Sequence, residues 1–373
     1  MSEKDIDSLA DITNGRCGLV LLMREEENQD DDFVPDVANC EVIETSELIV
    51  PKTIEEMLID HNTGYQSFLC KLLINVEEQD AIEKMTRSQS ESQSWFSYRK
   101  NRVTASNFKQ AVQKVDDEGQ IINPTKCRTI ISKICMYNKR YETKATKWGI
   151  DNEPVARKLY EKTNRSKHKK FSVTNSGFYV DLDFPFLGAS PDGIVSCECH
   201  GKGILEIKCP WTLRNCTISE YASDKSSCLE ITSGKVSLKR NHEYFYQVQC
   251  QMKCTGYNWC DFFVCTSKDS FLQRIIFDSS FINSAILKAS ICYEKFIFSE
   301  LIDRLVYTEL EVEKCVRDII SIVVTKKTDT IPTKNEVFTD QIDTIQTDDG
   351  PEKFTDIIET HNIDMDIDFF VNV

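Results

Sequence analysis

Two short motifs carry residue types and a spacing that could do chemistry: Ser190-Pro191-Asp192-Gly193 and Leu205-Glu206-Ile207-Lys208, with thirteen residues between Asp192 and Glu206. On a strand, the alternation Glu206, Ile207, Lys208 turns the two charged side chains to one face and Ile207 to the core. If Asp192 begins the neighbouring strand of a hairpin, its carboxylate can approach that of Glu206. Two carboxylates that close repel unless a cation lies between them, and hard oxygen ligands with open positions suit Mg²⁺ or Mn²⁺. Lys208 alongside would hold or activate a water and steady the charge of a phosphorane-like transition state, so phosphodiester hydrolysis is the natural reaction. Taken alone, an Asp followed by Glu-x-Lys is a common spacing, and a strand with exposed charges is the plain alternative.

The surroundings sharpen the reading. Five motifs occur in order: Trp95-Phe-Ser-Tyr-Arg99-Lys-Asn-Arg102-Val-Thr104-Ala105-Ser106, then Trp148-Gly149-Ile-Asp-Asn152-Glu153 with Ala156 and Tyr160 beyond it, then Leu187-Gly188-Ala189-Ser190-Pro191-Asp192-Gly193, then Leu205-Glu206-Ile207-Lys208-Cys209-Pro210, and Tyr246-Gln247-Val248-Gln249. From about Trp95 to about Thr266 the chain resembles the YqaJ-type viral recombinase nucleases, the family of the phage lambda exonuclease, within the PD-(D/E)xK superfamily. The resemblance implies a mixed α/β fold with a restriction-endonuclease-like central mixed sheet flanked by helices. It implies a Mg²⁺-dependent DNA nuclease, a 5′-to-3′ exonuclease resecting double-stranded DNA ends in recombination or repair. Asp192 and Glu206 would be the metal-binding carboxylates, with the backbone carbonyl of Ile207 as a further ligand, and Lys208 the catalytic lysine. Glu153 would hold a water beside the metal, its alternative being first-turn stabilisation of a helix dipole. Gln247 matches the family's active-site glutamine, whose neutral amide can orient a water without adding repulsive charge. Gln249 would face elsewhere on a helix and is an ordinary surface amide in the plain reading.

Arg99 and Ser106 match the positions that grip a terminal 5′-phosphate, for which a guanidinium fork and a hydroxyl at a helix start are suitable donors. The alternatives are a backbone-phosphate contact for Arg99 and an N-cap of the segment NFKQAV for Ser106. The resemblance further implies a homo-oligomer, a trimer by analogy, and a single-strand annealing protein as partner. Rival readings are an endonuclease or flap nuclease of viral or mobile-element origin, and a DNA-binding module without catalysis. The last is opposed by coincident carboxylates, which repel phosphate unless a metal is present.

The connection between Asp192 and Glu206 is longer than the family's and contains Cys197-Glu198-Cys199-His200 before the turn Gly201-Lys202-Gly203. Alternation puts Cys197 and Cys199 on one side of a strand and His200 on the other, so a shared zinc requires the turn to swing the imidazole round. A fourth ligand is not evident from spacing, and a thiol-rich hairpin tip is the favoured reading. Cys250, Cys254, Cys260 and Cys265 read as buried core residues. No H-E-x-x-H, P-loop lysine or G-x-G-x-x-G motif is present.

Positioning these groups requires a particular order of elements. Apolar spacing predicts helices within Thr53 to Glu77 around a break at His61 to Gly64, and another over Lys126 to Met136. Asn152, Glu153 and Pro154 predict a helix start, continuing to Lys162. Strand-like runs at Lys170 to Val180, Gly193 to Cys197 and Gly203 to Cys209 suggest an antiparallel meander. A polar segment, a helix over Glu243 to Thr255, strands at Asp261 to Thr266 and Phe271 to Phe277, and a closing helix over Ser279 to Leu301 complete the pattern.

The 373 residues, 40% of them hydrophobic, suffice for a substantial core. Of the net charge of −15, residues 1–50 carry −11 and residues 328–373 carry −10, which leaves the middle at +6. The expected organisation is therefore disordered acidic arms at 1–50 and 328–373, a helical lead-in at 51–90, a nuclease domain at 91–302 and a helical extension at 303–327. Ser97 to Lys109 and Arg157 to Lys170 are locally basic and could clasp phosphates. The acidic N-terminus and the lack of a long apolar run predict an intracellular chain, nuclear or cytoplasmic, without a membrane span. Its sixteen cysteines are then reduced thiols.

Overall fold

Strand alternation and helical periodicity meet around Glu206 in a sheet covered on both faces. The computed structural model describes residues 50–57, 62–122, 127–138 and 142–329, so both expected acidic arms lie outside the described residues except at their inner ends. The helices are α1 (Tyr65–Leu72), α2 (Val76–Met85), α3 (Gln93–Arg99), α4 (Phe108–Val112), α5 (Arg128–Ile134), α6 (Lys144–Arg165), α7 (Ile218–Ser223), α8 (Glu243–Thr255), α9 (Ser279–Cys292), α10 (Ser299–Asp303) and α11 (Leu305–Asp329). The described residues up to Glu311 form one compact unit. The described part of a second unit, from Val312 on, is helical.

The main sheet has the order β10-β9-β6-β5-β2, from β2 (Ser172–Thr174), β5 (Gly193–Cys197), β6 (Gly201–Lys208), β9 (Trp259–Cys265) and β10 (Ser270–Ile276). Its pairs are antiparallel except β6 with β9, which run parallel. A parallel pair cannot be closed by a hairpin and needs a crossover, and the connection from β6 to β9 contains α8. Ile204, Phe262 and Val264 are buried together with Phe245, Val248 and Met252 of α8. On the opposite face, Leu205, Ile207, Val195 and Phe263 are buried together with Ala156 and Tyr160 of α6. Each of the Val, Leu, Ile, Phe and Met side chains withdrawn from water contributes about 1.5–3 kcal/mol, so the two helices are fixed on the sheet by ordinary burial. The mixed α/β fold, a central mixed sheet flanked by helices, is thus present.

A small second sheet holds the motifs together. Its order is β1 (Val103–Thr104), β4 (Leu187–Ala189), β3 (Tyr179–Val180), with Val103 opposite Leu187 and Thr104 opposite Gly188. A Cβ on Gly188 would lie 2.2 Å from Cζ of the fully buried Phe178, which explains a glycine in this motif without reference to chemistry. Gly188→Ala is therefore expected to destabilise the domain by about 1–3 kcal/mol, read as a lowered denaturation midpoint. An unchanged midpoint would mean that Phe178 can move aside at no cost.

Three sequence expectations change. The helix predicted to start at Asn152 begins at Lys144, with Thr143 as its N-cap accepting from Thr146 N at 3.1 Å. Asn152 is interior and donates to Trp148 O at 2.9 Å, and Pro154 sits inside the helix. Proline there leaves one carbonyl without its intrahelical donor, a local cost that the long helix absorbs. The run Lys170 to Val180 is split between two sheets at Gly177, where a Cβ would come within 1.8 Å of Glu83 O. The polar segment after β6 is not featureless: it contains α7 and the hairpin of β7 (Leu229–Thr232) with β8 (Lys235–Leu238). Ser233 and Gly234 both have positive φ there, as a two-residue hairpin turn of the primed type requires.

The fourteen cysteines among the described residues are free, and Cys250, Cys254 and Cys260 are buried as expected, with Cys265 half-buried. Among the described residues no helix is long and apolar enough to cross a membrane.

Candidate active site

The β5–β6 hairpin brings the two motifs into register. Asp192 N donates to Leu205 O at 3.1 Å, the next step of the ladder below the Gly193–Leu205 pair. Asp192 Oδ2 in turn accepts from Ile207 N at 2.6 Å, which holds the carboxylate across the end of β6. Because residue 206 shares a face with Ile204, Glu206 points towards α8 while Ile207 enters the core against α6.

Glu206 is 1% exposed, and both its oxygens are engaged. Oε1 accepts from Lys208 Nζ at 2.5 Å and from Gln247 Nε2 at 2.6 Å, and Oε2 accepts from Gln251 Nε2 at 2.7 Å. Lys208 Nζ also donates to Gln247 Oε1 at 3.3 Å and lies 4.4 Å from the centre of the Tyr244 ring. Burial alone would lower the Lys208 pKa, but Glu206, then Tyr244 and Asp192, outweigh it, and the ammonium is held charged.

The other two carboxyl groups are under strain of the opposite kind. Asp192 is pushed well above the usual carboxylate range, first by burial and then by the charges of Glu206 and Glu153. Glu153 is raised by burial and then by Glu206, with Lys208 and Arg157 opposing. Glu153 stands in the middle of α6, so stabilisation of a helix start does not account for it. The helix is anchored beside β9 by Tyr160, whose hydroxyl donates to Asp261 Oδ2 at 2.6 Å, and Arg274 forks onto the same carboxylate at 2.8 and 3.0 Å. Arg157, one turn beyond Glu153, donates to Asp192 O at 2.8 Å.

Gln251 escaped the sequence reading, although it lies four residues after Gln247 and hence on the same helical face. Gln249 does face elsewhere, as expected, but it is not a surface amide: it is fully buried, donates to Ile276 O at 2.9 Å and accepts from Asp278 N at 2.9 Å.

Arg99 lies 4.0 Å over the ring of Trp95, whose indole N–H donates to Ser190 Oγ at 2.8 Å, so the first motif leans on the residues just before Asp192. Ser106 is exposed and shares a hydrogen bond with Thr104 at 3.1 Å. It lies inside the turn Ala105–Asn107 and does not cap α4, whose N-cap is Asn107. The basic stretch Ser97 to Lys109 is less available than its composition suggests: Arg102 is 2% exposed, bonded to Pro185 O and Tyr98 O, with its pKa lowered to about 10 by burial. In the second stretch Lys158, Lys162, Arg165, Lys167, Lys169 and Lys170 are exposed. Cys197, Cys199 and His200 lie at the opposite end of β5 from Asp192.

No curated protein matches this sequence. Among solved structures, an alkaline exonuclease from Laribacter hongkongensis is 24% identical with a TM-score of 0.40, covering 62% of this chain and all of that one. The Shutoff and Exonuclease Protein from Kaposi's sarcoma associated herpesvirus is 12% identical with a TM-score of 0.34, covering 63% of this chain and 76% of that one. With scores below 0.5, neither likeness bears on the site. The family match is more direct. It begins at residue 94, just before Trp95, ends at 258, short of the Thr266 suggested by the motifs, and includes all five of them. Residues 94–258 of this chain match the model of the YqaJ-like viral recombinase domain.

Proposed function

We propose that this chain is a divalent-metal-dependent DNA nuclease, a 5′-to-3′ exonuclease that resects double-stranded ends. The observation that carries the reading is the convergence of Glu153, Asp192 and Glu206 on one charged lysine, with burial and mutual repulsion raising Asp192 and Glu153. Such a site gains from a dication, and its donors fit a hard one. The side-chain donors gathered there are the carboxylate oxygens of Asp192, Glu206 and Glu153, the ligand type hard dications take. Asp192 and Glu206 would hold Mg²⁺ or Mn²⁺, with the Ile207 carbonyl as a further ligand. When bound, the ion would supply Lewis acidity to a phosphate oxygen and lower the pKa of a coordinated water.

The chain's own residues do the rest. Lys208, kept protonated, faces the negative charge that develops on the phosphorus centre. Gln247, bonded to both Glu206 and Lys208, offers a fixed neutral amide to the attacking water, and Gln251 holds the second Glu206 oxygen. Glu153 is suited to take the proton of that water. Arg99, oriented by the Trp95 ring, and Ser106 would receive a terminal 5′-phosphate.

The test is a Mg²⁺ titration on linear duplex DNA with and without 5′-phosphates, beside closed circular DNA. Degradation of linear duplex alone, faster with a 5′-phosphate, is expected, and Arg99→Ala should remove that preference by a factor of about ten or more. Cutting of closed circles would make it an endonuclease, and binding without cleavage at any Mg²⁺ concentration would overturn the enzyme.

A further inference from the structure

The thiol-rich turn between β5 and β6 has a neighbour that spacing in the sequence does not reveal. His168, on the chain entering β2, lies beside it, and the ligand atoms of His168, Cys197, Cys199 and His200 are all within 4.8 Å of one another. Cys197 Sγ and His200 Nδ1 are 3.6 Å apart. Zinc–sulfur and zinc–nitrogen bonds of ordinary length at a tetrahedral angle place S and N about 3.5 Å apart, so this edge of the polyhedron is already formed. The turn brings the His200 imidazole round to the Cys197 side, the condition that simple alternation left unmet.

Two further observations point to an ion. The Nδ1 of His168 is buried and has no hydrogen-bond partner, an imbalance that coordination by this nitrogen would correct. Cys199 Sγ accepts a hydrogen bond from Lys169 N at 3.4 Å, the kind of backbone contact that supports a thiolate in a metal site. The His168 and His200 rings stand nearly edge to face, 5.1 Å apart at 71°. Two sulfurs and two imidazole nitrogens gathered this closely select zinc over the hard cations.

We propose that His168, Cys197, Cys199 and His200 bind one zinc ion that staples the β5–β6 turn to the chain entering β2. The staple has a mechanical reason. β2 is an edge strand of three residues whose partner in the sheet is β5, and Lys167, Lys169 and Lys170 beside it are exposed. Tying residue 168 to the turn fixes this basic segment against the hairpin whose other end carries Asp192. The strand separates the two ends by about 13 Å, and the zinc site stands independently of the nuclease reading.

Purified full-length protein is expected to contain one equivalent of zinc per chain by elemental analysis, retained in Asp192→Asn and lost in His168→Ala and in Cys199→Ser. Both lost ligands are on the surface or half-buried, so the variants should fold, which circular dichroism checks. Exchange of the zinc for Co²⁺ in the unmutated protein should give tetrahedral d–d bands with a thiolate charge-transfer band. A zinc-selective chelator in excess Mg²⁺ should lower the melting temperature of the parent and leave that of Cys199→Ser unchanged. Absence of zinc from protein prepared with zinc present, an octahedral Co²⁺ spectrum, or full zinc content in both folded variants would overturn the site.

Discussion

Replacing Asp192 with asparagine is expected to lower Mg²⁺-dependent cleavage by about a thousandfold or more while duplex binding is retained. The asparagine carbonyl can still accept from Ile207 N, so the hairpin geometry held by that 2.6 Å bond survives. What disappears is one of the two carboxylates that would face the metal. A second readout moves in the opposite direction. The Asp192 pKa stands above its unfolded value because of burial first and then Glu206 and Glu153. An acid raised in this way costs stability once pH passes its unfolded pKa, and the full cost is present above the folded one. Metal-free Asp192→Asn protein at pH 8 should therefore melt higher than its parent, with the difference shrinking as pH falls through the folded-state pKa. A residue that merely supported the hairpin would lose activity and stability together. Cleavage that remains Mg²⁺-dependent in the variant at near-parental rate would remove Asp192 from the site.

The parts of this site that were legible in the sequence are those whose information is local. Helix α8 spans the expected Glu243 to Thr255, and Gly256 after it, with φ of 71°, supplies the left-handed stop that a glycine signals. Strand β5 has its expected bounds, Gly193 to Cys197, because Pro191 precedes it and Gly201 follows it. Helix α6 starts earlier than expected for an equally local reason. Asn152, Glu153 and Pro154 imitate a helix start, and nothing in that triplet reports the Thr143 cap nine residues earlier. Asp192, Glu206, Lys208 and Gln247 lie in short motifs, so their types and order could be read directly. Gln251 needed only the helical period applied once more. His168 and the Trp95–Ser190 bond were beyond reach, since each joins segments distant in sequence through the sheet order β9-β6-β5-β2 and the β1–β4 pairing. The burial of Arg102 was illegible because charge content does not reveal which guanidinium the fold encloses.

Lys208→Gln should reduce kcat by about a hundredfold to a thousandfold and also move the acidic limb of the pH–rate profile to higher pH. The two effects have one origin. In the parent, Lys208 is the largest influence opposing burial and neighbouring charge at both Asp192 and Glu153. Without its ammonium both carboxyl groups keep their protons to higher pH, and since a dication competes with those protons, the limb follows upward. Raising Mg²⁺ should shift the limb back in both proteins, yet leave the kcat deficit at the plateau, where the missing positive charge faces the transition state. Lys208→Arg tests the division: it keeps the charge, so the limb should stay near its parental pH even where a changed reach lowers kcat. An unshifted limb and an unchanged plateau in Lys208→Gln would show that Lys208 neither sets the carboxylates nor meets the phosphate. The glutamine can still hydrogen-bond Glu206, so loss of structure is a poor explanation for a selective change in the profile. The same electrostatics separate two roles a lysine could take. Glu206, Tyr244 and Asp192 hold the Lys208 ammonium charged despite its burial, which suits a fixed cation and leaves the taking of the water's proton to Glu153.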